Sequence, residues 1–153
     1  MRAIEPWVEA PLDAFLRESS ARIVLLMTSS GQVVAQHGFT RSLDVMAAAA
    51  LGAGIIASTA EIARVMSLPT LGNVVHQGAG LSVLLAPFSM PAGTWVALVV
   101  FGPETTVGLV QLFCAGLAAD LTAAAPQPRP AAPILAEQFE DELNASLRTL
   151  FGR

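Results

Sequence analysis

The chain has 153 residues, which is enough for one hydrophobic core and a short appendage. It is 54% apolar and 13% charged, and it contains no lysine, which excludes a P-loop phosphate lysine and a Schiff-base lysine. The net charge of -4 argues against nucleic acid as a partner, because nucleic-acid binding needs a basic surface.

The single cysteine, Cys114, lies inside an apolar run. A lone thiol in such surroundings is more often buried and structural than nucleophilic, and it has no partner for a disulfide within the chain. Since no signal peptide precedes the first predicted helix, we expect the protein in the reducing cytoplasm.

The first part of the chain predicts a helix followed by a hairpin. Apolar residues recur at helical spacing over residues 11–20. Segments 22–28 and 32–36 are rich in Ile, Val and Leu and indicate two strands, joined by a turn at Ser29-Ser30-Gly31.

A long Ala-rich helix is predicted next. Ser42 is its expected N-cap, Asp44 is favoured in its first turn, and Pro69 ends it after about Met66. Three strands and a further helix are then predicted over 72–76, 81–88, 94–101 and 106–124.

The C-terminal part predicts a stiff linker and an amphipathic helix. Four prolines over 126–133 favour an extended polyproline conformation. The expected organisation is therefore a domain over 1–124, a linker over 125–133 and a terminal helix over 134–153. Tight turns force antiparallel pairing within each group of strands, which predicts an α+β fold with a five-stranded antiparallel sheet and helices on both faces.

No Asp, Glu, Lys or Arg occurs between Arg64 and Glu104, and the mean hydropathy of the chain is +0.61. Prolines and glycines divide this stretch into strand-length pieces, whereas a membrane-spanning helix needs about 20 consecutive apolar residues. We therefore expect no membrane insertion and interpret the uncharged surface as an oligomer interface.

The segment Gly52-Ala53-Gly54-Ile55-Ile56-Ala57 matches the glycine pattern of dinucleotide-binding folds, but it lies inside a predicted helix. That motif should instead follow a strand, so close helix packing is the better interpretation. No cofactor is therefore expected.

On a helical wheel, Leu51, Ile55, Ile62 and Met66 share one side of the long helix, and this side is expected to face the sheet. The opposite, small-residue side is expected to pack against a symmetry mate or a partner protein, or else under another element of the same chain. The candidate interface residues are Arg41, Met46, Ala49, Ala53, Ala57, Ala60 and Arg64.

Catalytic motifs do not emerge from the remaining residues. Metal binding needs several converging ligands, and the two histidines, His37 and His76, have no such partners at metal-ligand spacing. We expect His76 to lie at the end of a strand and to make a backbone hydrogen bond, rather than to act as a metal ligand or a base. Neighbouring Asp141 and Glu142 diverge on a helix, so a solvated acidic face is expected there. No catalytic or metal-binding residue is predicted.

The terminal helix carries an apolar stripe with acidic neighbours. It could fold back on its own domain, lie in another subunit, or dock as a helix in a groove of a separate protein. The candidate docking residues are Leu135, Phe139, Leu143, Leu147 and Leu150.

Over about residues 10–121 the sequence resembles the Roadblock/dynein-light-chain family, and within it the bacterial MglB-type regulators. The most specific element is Val75-His76-Gln77-Gly78 with Phe101, Gly108 and Val110 downstream. Ala21-Arg22, Ser30-Gly31, Val33-Val34-Ala35 and Leu43-Asp44 also match, and the proline linker and terminal helix look like an MglB tail.

The resemblance implies a homodimer, possibly a higher oligomer, whose sheets join across subunits and whose long helices lie together. It implies a non-enzymatic regulator in cell polarity or gliding motility, which binds a Ras-like, MglA-type GTPase and stimulates GTP hydrolysis by remodelling it. Alternatives are a roadblock scaffold without effect on turnover and, more weakly, a small-molecule-binding or enzymatic domain. An arginine finger from Arg41 or Arg64 is considered, but ordinary surface contacts are the better interpretation for both.

Overall fold

The computed structural model describes residues 6–39, 41, 43–69, 72–126 and 132–151, with side-chain surroundings in the last helix from residue 140 onward. The elements in chain order are α1 (Pro6–Ser19), β1 (Ile23–Thr28), β2 (Val33–Gly38), α2 (Val45–Val65), β3 (Val74–Gln77), β4 (Ser82–Met90), β5 (Gly93–Phe101), α3 (Val107–Ala124) and α4 (Ala132–Phe151).

The five strands form one antiparallel sheet in the order β2-β1-β5-β4-β3. β5 is central and pairs with both β1 and β4, so that Leu98 lies opposite Leu25 on one side and Leu85 on the other. The local hairpins β1–β2, β3–β4 and β4–β5 follow from their turns, whereas the pairing of β1 with β5 joins segments about 70 residues apart in sequence.

Helices cover both faces of the sheet, as predicted. α1 and α3 pack on one face, where Leu12, Phe15 and Leu121 meet Val24 and Val99. Alternate residues of the same strands point to the other face, because successive side chains in a strand point in opposite directions. There, beneath α2, the second core cluster comprises Leu25, Met27, Ala49, Leu85, Val96 and Leu98.

Two helix starts differ from the sequence prediction. α1 begins at Pro6 and continues through Pro11, because Val8 is fully buried and compensates for the hydrogen bond that a proline inside a helix loses. The N-cap of α2 is Asp44, not Ser42: the Asp44 carboxylate accepts a hydrogen bond from the backbone N–H of Ala47 at 3.1 Å. Ser42 itself lies outside the described residues.

The geometry of the turn after β3 requires a glycine at position 78, the last residue of the His-Gln-Gly element. The backbone N–H of Gly78 donates to the carbonyl of Leu81 at 3.0 Å, and a Cβ at Gly78 would collide with that carbonyl. A glycine is therefore needed for the close approach that reverses the chain into β4.

The C-terminal helix α4 begins two residues before its predicted start. The linker residues 127–131 lie outside the described part of the chain, so their predicted extended conformation is not tested here.

Candidate protein-interaction surface

Helix α2 lies on the sheet through its small residues. Ala49 is fully buried, and Gly52 sits directly above the long side chains of the sheet. A Cβ added at Gly52 would lie 3.1 Å from Met27 Cε and 3.4 Å from Leu85 Cδ2. The absence of a side chain at this position therefore allows the helix axis to approach the sheet closely.

The predicted orientation of α2 is wrong for three of its four residues, whereas the fourth, Ile55, is half-buried against the sheet-side core cluster as expected. Leu51 and Ile62, which were expected to face the sheet, are 70% and 51% exposed, and Met66 is exposed as well. Ala49 and Ala53, expected at a partner interface, are buried within the chain itself. The physical reason is that β1, β4 and β5 already fill this layer with Met27, Leu85 and Leu98, leaving room only for small residues on the helix.

The turn between β1 and β2 covers the first half of the small-residue side. A Cβ built at Gly31 would lie 3.3 Å from Ala50 Cα and 3.4 Å from Ala53 Cβ. Of the candidate interface residues, Ala49 and Ala53 are therefore unavailable to a partner. The others are exposed: Arg41, Met46, Ala57, Ala60 and Arg64.

Sequence reasoning missed the large apolar residues that α2 presents to solvent. We define the outer α2 face as Leu51, Ile62, Val65 and Met66, whose side chains are 51 to 70% exposed. The signal was present in the sequence, because a helix that is apolar on all sides is normally buried on all sides. Within this fold α2 has only one side to bury against the sheet, so several large apolar side chains remain uncovered.

Half-buried isoleucines and the β1–β2 hairpin flank the outer α2 face. Ile55 and Ile56 are half-buried and pack in the same cluster as Val74 of β3 and Val83 of β4. The hairpin β1–β2 lies on the opposite flank of α2, against Ala50. The hairpin therefore does not cover the exposed Leu51 and Ile62.

β3 is a short edge strand that pairs with β4 on one side only. Its last two residues, His76 and Gln77, are exposed. The unpaired side of an edge strand carries free backbone donors and acceptors, which can pair with another strand. The outer α2 face and the β3 edge are therefore two candidate surfaces, the first apolar and the second with free backbone groups.

The charged groups on α2 neutralise each other. Arg64 and Glu61 are the only charged residues within the helix, and Arg64 Nε donates to Glu61 Oε1 at 2.9 Å. This contact lowers the pKa of the Glu61 carboxyl. The outer α2 face accordingly offers shape and apolar contact rather than a net charge.

A second ion pair fastens the start of β1 to the loop before α3. Arg22 Nε lies 2.7 Å from Glu104 Oε1, and its terminal nitrogen donates to Glu104 Oε2 at 3.2 Å. The hydrogen bonds from Arg22 lower the pKa of Glu104 to about 2. Both side chains are partly exposed.

The residues considered for chemistry do not converge. His37 Nε2 lies 3.2 Å from Asp13 Oδ1, and its Nδ1 is 3.1 Å from the carbonyl of Gln36. The backbone contact expected for His76 is thus found at His37, whereas His76 is exposed.

Cys114 is buried, as expected, and burial raises its pKa to about 12, which disfavours the nucleophilic thiolate. Within the described residues, no three His, Cys, Asp or Glu side chains are grouped so that they could hold a metal ion.

The C-terminal candidate docking residues are only partly described. Leu143, Leu147 and Leu150 are 48%, 42% and 77% exposed on α4. The side chains of Leu135 and Phe139 lie outside the described part of the helix. The exposed leucines leave an apolar stripe available, and the choice between packing in cis and in trans stays open.

Helices α2 and α3 are each long and apolar enough to cross a membrane by length and composition. In the fold, however, each lies along one face of the antiparallel sheet and contributes residues to a core cluster. Only 11% and 22% of the two apolar windows is buried, whereas the core helix of a soluble protein is mostly buried.

The chain matches no protein-family model and no curated protein sequence. Among solved structures it is similar to MglB from Myxococcus xanthus, with 26% identity and a TM-score of 0.70, covering 77% of this chain and 94% of that one. It is similar at 23% identity and a TM-score of 0.70 to an MglB with a tetrameric arrangement, covering 82% of this chain and 92% of that one. A Roadblock/LC7 domain from Streptomyces avermitilis shares 16% identity and the fold, with a TM-score of 0.64 over 78% of this chain and 95% of that one.

The fold and the comparisons together define an α+β protein of the roadblock type. Within that class, the similarity to Myxococcus xanthus MglB at 26% identity supports a roadblock family of the MglB type.

Proposed function

We propose that this chain is a dimeric regulator that binds a Ras-like, MglA-type small GTPase and stimulates its GTP hydrolysis by remodelling it. The single observation that carries the proposal is the outer α2 face, where four large apolar side chains are exposed on a domain whose two cores are otherwise well packed. The similarity to Myxococcus xanthus MglB supports the kind of partner.

The outer α2 face and the β3 edge support a homodimer. Exposed contiguous apolar patches on a folded domain mark interaction sites, and a free strand edge can extend a sheet into a neighbouring copy. Joining two chains along β3 would bring the two α2 helices to the same side of the joined sheet. The tetrameric arrangement of a similar MglB supports self-association in this fold.

Stimulation by remodelling, without an arginine finger, is supported by the state of the two candidate arginines. Arg64 directs its guanidinium to Glu61, and Arg41 lies in the segment before α2. A finger must reach the transferred phosphoryl group of the partner, and losing one costs about 10³ to 10⁵ in rate. Acting through its surface, the chain would instead stabilise the catalytic arrangement of the GTPase.

The test is phosphate release from an MglA-type GTPase of the same genome, measured under single-turnover conditions with and without this chain. We expect faster release with the full chain, a loss of stimulation with Leu51→Arg, and stimulation within about tenfold of wild type for Arg41→Ala and Arg64→Ala, since a finger would cost far more. Loss of stimulation in either alanine variant with binding intact would contradict remodelling without a finger.

A roadblock scaffold that binds a GTPase or another protein without affecting turnover is the second candidate. The neutralised charges of α2 favour it, because a surface of shape and apolar contact can hold a partner without acting on its nucleotide site. Binding to the GTPase with unchanged phosphate release would select this function. Either role places the protein in the cytoplasm, in a polarity or gliding-motility system.

A further inference from the structure

The described part of the domain has an apolar cleft that the proposed function does not use. It lies where the first turn of α1, the β4–β5 turn and the end of α3 meet, and it has a volume of about 140 Å³. The lining residues are Trp7, Met90, Pro91, Ala92, Trp95, Ala125 and Pro126.

Two stacked indole rings lie among the seven residues that line the cleft. Trp7 and Trp95 are stacked with ring centroids 5.9 Å apart and an angle of 20° between their planes. Phe88 meets Trp95 edge-on at 6.4 Å and 74°. No lining residue carries a charge. Aromatic grooves of this kind bind proline-rich segments, because proline rings pack flat on indole faces and the polyproline helix loses little entropy on binding.

The chain itself delivers such a segment to this cleft. α3 ends at Ala124, and Ala125 leaves the helix with φ -62° and ψ 138°, which is the polyproline conformation. Pro126 already lines the cleft, and the next residues read Gln-Pro-Arg-Pro-Ala before α4 begins at Ala132. A polyproline segment of five residues would span about 16 Å at about 3.1 Å per residue, and its first prolines would then be within reach of the two indoles.

We propose that the proline-rich linker docks on the Trp7–Trp95 cleft of its own chain, with Pro128 and Pro130 extending the contact that Pro126 begins. Tethering raises the effective concentration of the segment to about the millimolar range, so a weak contact suffices. The docked linker would set the direction in which α4 leaves the domain, and thereby where its apolar stripe can reach.

Intrinsic fluorescence tests this directly, because Trp7 and Trp95 are the only tryptophans and the chain contains no tyrosine. The double variant Pro128→Gly with Pro130→Gly, made in the full chain, should shift the emission to the red and increase quenching by acrylamide. Pro103→Gly is the matched control: it loosens an exposed loop at the far end of β5 from Trp95 and should leave emission and quenching unchanged.

Emission and quenching that are the same in the double variant and wild type would overturn the proposal. The double variant must have the same far-UV circular dichroism spectrum as wild type, which shows that it is folded. If the spectrum differs, the single variant Pro128→Ala is used in its place. A dilution series distinguishes a linker that docks on its own chain from a linker supplied by a second copy. Protection that persists on dilution supports docking within one chain, whereas protection that is lost on dilution assigns the linker to a second copy and overturns docking in cis.

Discussion

At the scale of single residues, Gly52 determines how closely α2 approaches the sheet. We expect Gly52→Leu to lower the free energy of unfolding by about 1–3 kcal/mol, because the new side chain overlaps Met27 and Leu85 in a filled core. Denaturant titration followed by circular dichroism measures this change.

The control lies two residues further along the same helix. A Cβ at Gly54 would meet nothing within 4 Å, so Gly54→Ala should raise the free energy of unfolding by about 1 kcal/mol through helix propensity alone. Equal effects of the two substitutions would mean that Gly52 does not rest on the sheet.

The ion pair between Arg22 and Glu104 predicts a pH dependence at the same scale. Glu104 has a pKa of about 2 in the fold and an ordinary value of 4.5. Because the folded-state pKa is depressed, the pair stabilises the fold above pH 4.5, and its contribution is lost as the pH falls from 4.5 toward 2.

Glu104→Gln removes this carboxyl, so the variant should lose less stability than wild type across that window. Thermal midpoints measured at a series of pH values test the difference. Parallel pH profiles for the two proteins would show that the pair contributes nothing measurable, as many exposed ion pairs do.

At the scale of elements, α2 and α3 offer a matched comparison, since each carries an exposed leucine on an otherwise apolar helix. Leu51 is 70% exposed on α2, and Leu112 is 63% exposed on α3, on the opposite side of the sheet. We expect Leu51→Arg to reduce the mass measured by light scattering from that of the proposed dimer to the 15.9 kDa of one chain, because it would place a charge in the proposed apolar interface.

Leu112→Arg should leave the mass of the dimer unchanged. Circular dichroism checks that both variants remain folded, as expected for substitutions at exposed positions. Dissociation by Leu112→Arg but not by Leu51→Arg would move the interface to α3. Ala53→Arg is unsuitable for this purpose, because Ala53 is 8% exposed and a charge there would disrupt the core.

At the scale of the whole molecule, α4 is expected to contribute little to the stability of the domain. Its described side chains, from residue 140 to 151, are all exposed. Ending the chain after Ala131, which retains the linker, should therefore shift the thermal midpoint by less than about 2–4 °C, equivalent to about 1 kcal/mol. A larger loss in differential scanning calorimetry would mean that α4 packs on its own domain.

The sequence by itself determined the elements and their layering. Alternating apolar residues, tight turns and the Ala-rich and Leu-rich helices were sufficient for five antiparallel strands with helices on both faces, because these signals are local. The glycine of the His-Gln-Gly element was also readable, since it marks a turn that only a glycine permits.

Only the tertiary structure decided the strand order and the side of α2 that is buried. The pairing of β1 with β5 joins distant segments, so no local pattern encodes it. On α2 both sides are apolar, and the helical wheel therefore could not distinguish them. The choice was made by Met27, Leu85 and Leu98 beneath the helix: their volume left space for Ala49 and Gly52 and turned Leu51 and Ile62 outward, onto the outer α2 face.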